Sequence, residues 1–300
     1  MATSRAALTT TLADERALAR RGILLALGSF AVFTAMDTSI KLLSDRYATL
    51  QIMAINAAIA AAIAAVVALR RGGRAQLRTT RPGMHLMRGC LSVVGAWLGF
   101  HAYARLPLAD VYAIFFAMPL IISALSVPLL GERVGWHRWA AIVTGFAGVF
   151  VMLWPSGEAI QLAALGAVVA AFINAFVTIL VRVVRGDPPE TFAVYGNLTV
   201  AILTGATLPF VWVTPTLPDW LLLVFCGSCC GTGFLLLVAA YRMAPAAVIA
   251  PFQYSQMLYA LVIGAVLFGS WPDARMLLGA AIVVLSGLYV LHREALRRSA

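Results

Sequence analysis

Tyr103-Ala-Arg-Leu-Pro107-Leu-Ala109 and Tyr241-Arg-Met-Ala-Pro245-Ala-Ala247 are two copies of one pattern, 138 residues apart. Each stands where one long apolar run ends and the next begins. The proline removes a backbone donor and biases the preceding residue away from helix, so a short turn is expected there. The same register carries Gly89 onto Gly227, Gly95 onto Gly233 and Gly131 onto Gly269; with one more residue inserted, Gly148 falls on Gly287. Lys41-Leu-Leu-Ser and Arg182-Val-Val-Arg also resemble each other, at a slightly longer offset. Chance similarity between hydrophobic helices would scatter such glycine, tyrosine and proline matches over many registers. Their concentration in one register points to an internal duplication.

Outward from these junctions the chain divides into ten apolar runs, approximately 22–43, 48–69, 84–104, 108–130, 136–154, 159–184, 191–213, 219–241, 245–268 and 273–291. A helix needs roughly 20 residues to cross about 30 Å of hydrocarbon. The composition agrees: 62% of residues are hydrophobic and 11% charged, against about 25% charged in soluble domains. The mean hydropathy is +0.92. The expected fold is an all-α membrane protein of about ten transmembrane helices, arranged as two inverted five-helix repeats. The expected units are a cytoplasmic tail 1–20, a first repeat 21–155, a second repeat 156–292 and a cytoplasmic tail 293–300. Five is odd, so the second repeat must enter the membrane in the opposite sense. Inverted repeats of this kind underlie many secondary transporters.

The formal net charge of +10 does not point to nucleic acid, because the arginines sit in short clusters between apolar runs. With a cytoplasmic N-terminus, eighteen Lys and Arg residues fall on the inner side, and Lys41, Arg46, Arg105 and Arg275 on the outer. The positive-inside rule then puts both termini in the cytoplasm of a bacterial inner membrane. Residues 1–20 are polar and lack a cleavable signal pattern, so the first run is expected to be retained. Trp154, Trp212, Trp220 and Trp271 fall at run ends as interfacial anchors. The segment Cys226-Gly-Ser-Cys-Cys230 and Cys90 read as small packing residues, since no His or acidic partner accompanies the CxxC spacing. No Walker-type phosphate loop is present. No cofactor or metal is expected, and any transport must draw on a gradient of substrate or of protons.

These features resemble the drug/metabolite transporter superfamily, specifically its EamA-type members with two EamA repeats. The likeness rests on Tyr103 to Tyr112, Pro119-Leu-Ile-Ile, Leu129-Leu-Gly-Glu-Arg133 and Trp139 to Gly148. Its second copy runs from Tyr241 to Ala247, through Gly269-Ser-Trp271, to Gly279 and Gly287. The loop Glu132 of the first copy is replaced by Ser270 in the second, a departure from the family pattern. The resemblance implies a transporter of small metabolites, with its nearest likeness among YddG-type amino-acid exporters. Uptake of a methionine derivative, riboflavin or a nucleotide-like compound is the alternative on the same fold.

Ionisable groups inside a span are costly and usually face a cavity or a partner. Asp37 lies about 22 Å into the first run at 1.5 Å per residue. Lys41 follows one turn later on the same face, where the two could neutralise each other. In the ninth run Gln253, Tyr254 and Gln256 follow Pro251, whose missing donor loosens the helix. In the fourth run Tyr112, Phe116 and Pro119 share a stripe, and Phe115 and Phe116 align with Gln253 and Tyr254. The expected substrate cavity therefore comprises Asp37, Lys41, Trp97, His101, Tyr112, Phe115, Phe116, Asn174, Gln253, Tyr254 and Gln256, with helix breaks at Pro119 and Pro251. Asn56 and Tyr195 are weaker candidates. Interhelical packing is the competing explanation for each. The spacings Gly95 to Gly99 and Gly227 to Gly231 suit close helix approach.

The expected partners are a small-molecule substrate, the lipid bilayer and protons. An enzyme is not expected. Ser228 and His101 could pair on paper, but no Gly-x-Ser-x-Gly elbow surrounds Ser228. A passive scaffold would gain little from intramembrane polar groups.

Overall fold

The computed structural model describes residues 2–79, 81–131, 136–153, 158–183 and 187–299. Its helices are α1 (Ala2–Leu43), α2 (Thr49–Gly72), α3 (Pro82–Arg105), α4 (Leu108–Phe115), α5 (Met118–Leu130), α6 (Trp136–Leu153) and α7 (Glu158–Val183). They continue as α8 (Pro189–Gly205), α9 (Leu208–Val211), α10 (Leu217–Met243), α11 (Ala246–Ile249), α12 (Ser255–Phe268) and α13 (Ala274–Ser299). Two 3-10 segments, Gly73–Leu77 and Ala250–Tyr254, complete the order. No strand occurs among the described residues. Among the described residues six segments are long and apolar enough to cross a membrane: Ala17–Leu43, Thr49–Leu77, Leu108–Leu129, Leu162–Leu180, Leu217–Met243 and Ala250–Phe268. Trp139–Val151 and Ala274–Val290 are shorter apolar helices. The protein is thus an all-helical, multi-pass membrane protein.

The helices depart from the apolar runs in three ways. First, α1 and α13 continue into the polar termini, where Ala, Leu, Arg and Glu carry good helix propensity. Second, the seventh run is split into α8 and α9, with Pro209 opening the short second piece. Third, the fourth and ninth runs are broken. Between α4 and α5 the chain tightens at Phe116 and Ala117, where Ala117 N–H bonds to the Ile114 carbonyl at 3.0 Å. Pro119 then opens α5. In the ninth run the break is the 3-10 segment that contains Pro251. A proline withdraws the donor that the carbonyl four residues earlier would accept. In the 138-residue register Phe116 and Ala117 fall on Tyr254 and Ser255, where the second break ends, while the two prolines do not align.

The packing repeats in that register as well. A methyl placed on Gly89 of α3 would meet Thr199 of α8 at 2.5 Å, and one on Gly227 of α10 would meet Ile59 of α2 at 2.7 Å. Gly95 likewise faces Ile173 of α7 at 3.0 Å, and Gly233 faces Phe33 of α1 at 2.9 Å. Hence α3 packs on α7 and α8 as α10 packs on α1 and α2. The pairs α2 with α8, α6 with α13 and α4 with α12 close the arrangement across the middle. Gly131 and Gly269 end α5 and α12 with φ of 68° and 61°, the left-handed cap that glycine adopts without a Cβ penalty. Glu132, Arg133, Trp154 and Arg185, and the side chains of Arg138 and Arg182, lie outside the described residues. Trp212, Trp220 and Trp271 are exposed.

Candidate functional site: a cavity among five helices

A cavity of about 600 Å³ lies between α1, α2, α3, α8 and α10, with Asn174 of α7 also in its lining. Small side chains create it. Ala57, Ala60 and Ala64 on α2, Ala96 on α3, Gly196 on α8 and Gly231 on α10 withdraw volume from the helix contacts. On α3 every fourth residue from Arg88 to Phe100 faces the space, as one helical stripe requires. Four phenylalanines (Phe33, Phe100, Phe192 and Phe234) and three asparagines (Asn56, Asn174 and Asn197) line it. Asn56 Nδ2 lies 3.1 Å from Cys226 Sγ, and Asn197 Nδ2 donates to the Ala193 carbonyl at 2.9 Å. Such a lining offers ring faces and amide groups to a solute that has both.

Charged groups mark one end. Glu190 Oε1 accepts from Arg71 Nη1 at 3.1 Å and from Arg242 Nη2 at 3.5 Å. Asp187 Oδ2 accepts from Thr79 Oγ1 at 2.6 Å and lies 2.8 Å from His85 Nε2. Buried Arg88 donates through Nη2 to the Phe192 carbonyl, and its guanidinium sits 5.3 Å from the Phe192 ring centre. These contacts link α2, α3, α8 and α10 around the mouth.

A second polar cluster lies at the opposite ends of α2 and α10. Asp219 Oδ2 accepts from Tyr47 Oη at 2.7 Å and from Thr216 Oγ1 at 2.6 Å, while Arg46 Nη1 approaches Oδ1 at 3.1 Å. That hydrogen bond to the carboxylate holds the Tyr47 phenol above its ordinary pKa. Gln51 bonds both ways to the Val213 backbone, donating to its carbonyl at 2.7 Å and accepting from its N–H at 2.9 Å. Together they fasten the α1–α2 turn to the segment between α9 and α10. Deeper in, Lys41 Nζ donates to the carbonyls of Tyr103 at 3.2 Å and Leu106 at 2.6 Å, at the C-terminal end of α3.

The residues expected from sequence fall in three places. Asn174 lines the cavity, together with the weaker candidate Asn56. The expected Asp37–Lys41 pair does not form. Lys41 is drawn to the carbonyls at the end of α3, where a cation is favoured, and buried Asp37 instead accepts from Tyr112 Oη. Phe116 and Tyr254, expected in the cavity from the fourth and ninth runs, meet each other edge to face at 4.9 Å. Phe115 packs in the core with them, Gln253 is half-buried and Gln256 is buried. Trp97 is exposed and stacks on His101 at 5.9 Å, off the lining stripe of α3. Tyr195 donates to the Leu77 carbonyl at 3.1 Å, beside His85. The lining residues that sequence reasoning passed over are Arg88, Asp187, Glu190, Asn197 and the phenylalanines. Arg88 gave one signal: it lies two turns inside an apolar helix, apart from the arginines of the preceding basic turn.

Among the described residues Asp37 has no cation within salt-bridge distance, and its hydrogen-bonding partners are two phenols, Tyr112 and Tyr103. Tyr112→Phe will take one of the two phenol donors from the buried carboxyl and cost about 1 kcal/mol. Asp37→Asn, which keeps an acceptor for Tyr112, will cost less. Thermal melts of the two variants in detergent check the order.

The EamA-like transporter family matches this chain twice, over residues 20–154 and 161–291. A riboflavin transporter of Vibrio cholerae is 34% identical over 74% of this chain and 76% of its own length. An S-adenosylmethionine uptake transporter of Rickettsia bellii is 28% identical over 74% of this chain and 77% of its own. The pseudopaline exporter CntI of Pseudomonas aeruginosa is 24% identical over 90% and 95% respectively. A solved crystal structure with 21% sequence identity superposes with a TM-score of 0.64 over 92% of this chain and 98% of its own, which establishes likeness of fold alone.

Proposed function

The chain belongs to the EamA-like transporter family, and from that premise we propose that it is a secondary transporter which carries a small, ring-bearing polar metabolite through the cavity between α2, α3, α8 and α10. An enzyme is set aside, since the family and the relatives named above are transporters. The observation that carries the reading is the cavity itself. Its volume falls within the roughly 300–1,000 Å³ usual for small-molecule sites, and its amides and phenyl rings suit a heteroaromatic solute. The riboflavin and S-adenosylmethionine carriers among the relatives favour uptake of a compound of that size. In this reading ten helices cross a bacterial inner membrane, with repeats 21–155 and 156–292 inverted and both ends cytoplasmic. The arginine asymmetry and the paired glycine contacts support it. The cavity is then open toward the cytoplasm and sealed outside by the Asp219 cluster.

The test is flux into proteoliposomes of riboflavin, S-adenosylmethionine and the amino acids, each without ATP and with or without a pH gradient. Flux of at least one compound is expected. No flux of any from well-folded protein rejects the reading. Asn174→Ala will slow that flux by about 3- to 10-fold, the value of one hydrogen bond of roughly 1 kcal/mol. An unchanged rate removes Asn174 from the pathway.

Export of aromatic or apolar amino acids is the second reading, favoured by the phenylalanine walls. Efflux of amino acids from preloaded vesicles separates the two. If protons drive either process, Asp37 is the group through which they act. Asp37→Asn then abolishes acceleration by the pH gradient while exchange between equal pools continues.

A further inference from the structure

We propose that Arg88 is the anchor for an anionic group, so that the solute carried is a carboxylate; this rests on the transport reading above and narrows it. Three observations converge on this residue. Arg88 is 8% exposed, and it lines the cavity. Among the described residues it donates a hydrogen bond to the Phe192 carbonyl, and its guanidinium faces the Phe192 ring. Its Nε is buried without a hydrogen-bond partner. No carboxylate lies within salt-bridge distance of it among the described residues.

A guanidinium buried without a counter-ion is costly. A structural arginine in such a place is expected to hold an acid. Two acids line the same cavity, yet each is engaged elsewhere: Glu190 by Arg71 and Arg242, and Asp187 by Thr79 and His85. Nη1 and the second N–H of Nη2 on Arg88 are thus left for something that enters the cavity. A planar guanidinium matches a carboxylate in paired hydrogen bonds. Gly196 makes room for it, since a methyl there would meet Arg88 Nη2 at 2.9 Å. Asn174 and Asn197 lie in the same lining for the polar remainder of such a solute, and the phenylalanines face its ring.

The experiment is ligand-induced stabilisation of the purified protein in detergent. The probes are S-adenosylmethionine and L-phenylalanine, which carry a carboxylate, against L-phenylalaninamide and riboflavin, which do not. At millimolar concentration at least one carboxylate probe raises the melting temperature of the unaltered protein by several degrees, and both comparators leave it unchanged. Arg88→Gln loses that shift, and Arg88→Lys retains part of it. Gel filtration of both variants checks that they remain monodisperse. If Arg88→Gln does not fold, Gly196→Ala, which crowds the guanidinium from the neighbouring helix, is expected to weaken the same shift. The proposal is overturned by an equal shift in Arg88→Gln, by stabilisation with riboflavin alone, or by no response to either carboxylate. Binding without flux in vesicles would instead overturn the transport reading and leave the anion site standing.

Discussion

Leucine at Gly227, or at its register mate Gly89, will leave several-fold less folded protein than alanine at Gly28. A methyl on Gly227 already comes within 2.7 Å of Ile59 Cβ, and one on Gly89 within 2.5 Å of Thr199 Cβ. Both contacts are with atoms bonded directly to the neighbouring backbone, so no rotamer change relieves them. The helices must separate, and overpacking of this kind costs about 1–3 kcal/mol for the first carbon alone. A branched chain of four carbons extends the overlap along the seam. Gly28 lies in the middle of α1 with nothing within 4 Å, so alanine there gains about 1 kcal/mol of helix propensity and is tolerated. Fluorescence-detected gel filtration of tagged variants reads the difference. Equal yields for all three would show that the α3–α8 and α2–α10 contacts are looser than described.

The other large effect is expected at Asp219. Arg46, Tyr47 and Thr216 all converge on this carboxylate, so Asp219→Ala removes the common acceptor and leaves their donors to water. The seal then depends on Gln51 and Val213. Cys230 lines the cavity and reports the result. With Cys90, Cys226 and Cys229 replaced by serine, a membrane-impermeant maleimide applied from outside will label Cys230 several-fold faster in Asp219→Ala than in the parent. Asp219→Asn, which keeps one acceptor oxygen, will fall between. Unchanged labelling would mean that the Asp219 cluster does not seal the outer end.

Much of the architecture could be read directly from the chain. Apolar length marks helices because lipid leaves the backbone no partner but itself. The duplication was visible because glycine and proline act at fixed backbone positions, which survive when side chains diverge. The broken ninth run carried a mark in Pro251, and the fourth in Pro119.

The cavity was harder to read, for a physical reason. It is made by missing volume, at Ala57, Ala60, Ala96 and Gly231, and small residues look alike whether they border a void or a neighbouring helix. Depth along a helix also says nothing about azimuth. Gln253 and Tyr254 lie near the middle of their run, yet Tyr254 turns onto Phe116. Arg88 was counted with the arginines that set orientation because its rank along the chain resembles theirs. Its burial and its direction belong to the folded state.

The twinned glycine seams have an energetic corollary. When the two faces of a carrier are held by near copies of one interface, the difference between its two resting shapes is a small remainder between similar quantities. About 1.4 kcal/mol then shifts their ratio tenfold. Substitutions along either seam that are milder than those leucines should therefore act as ballast, tilting the molecule toward one side of the bilayer while it stays folded.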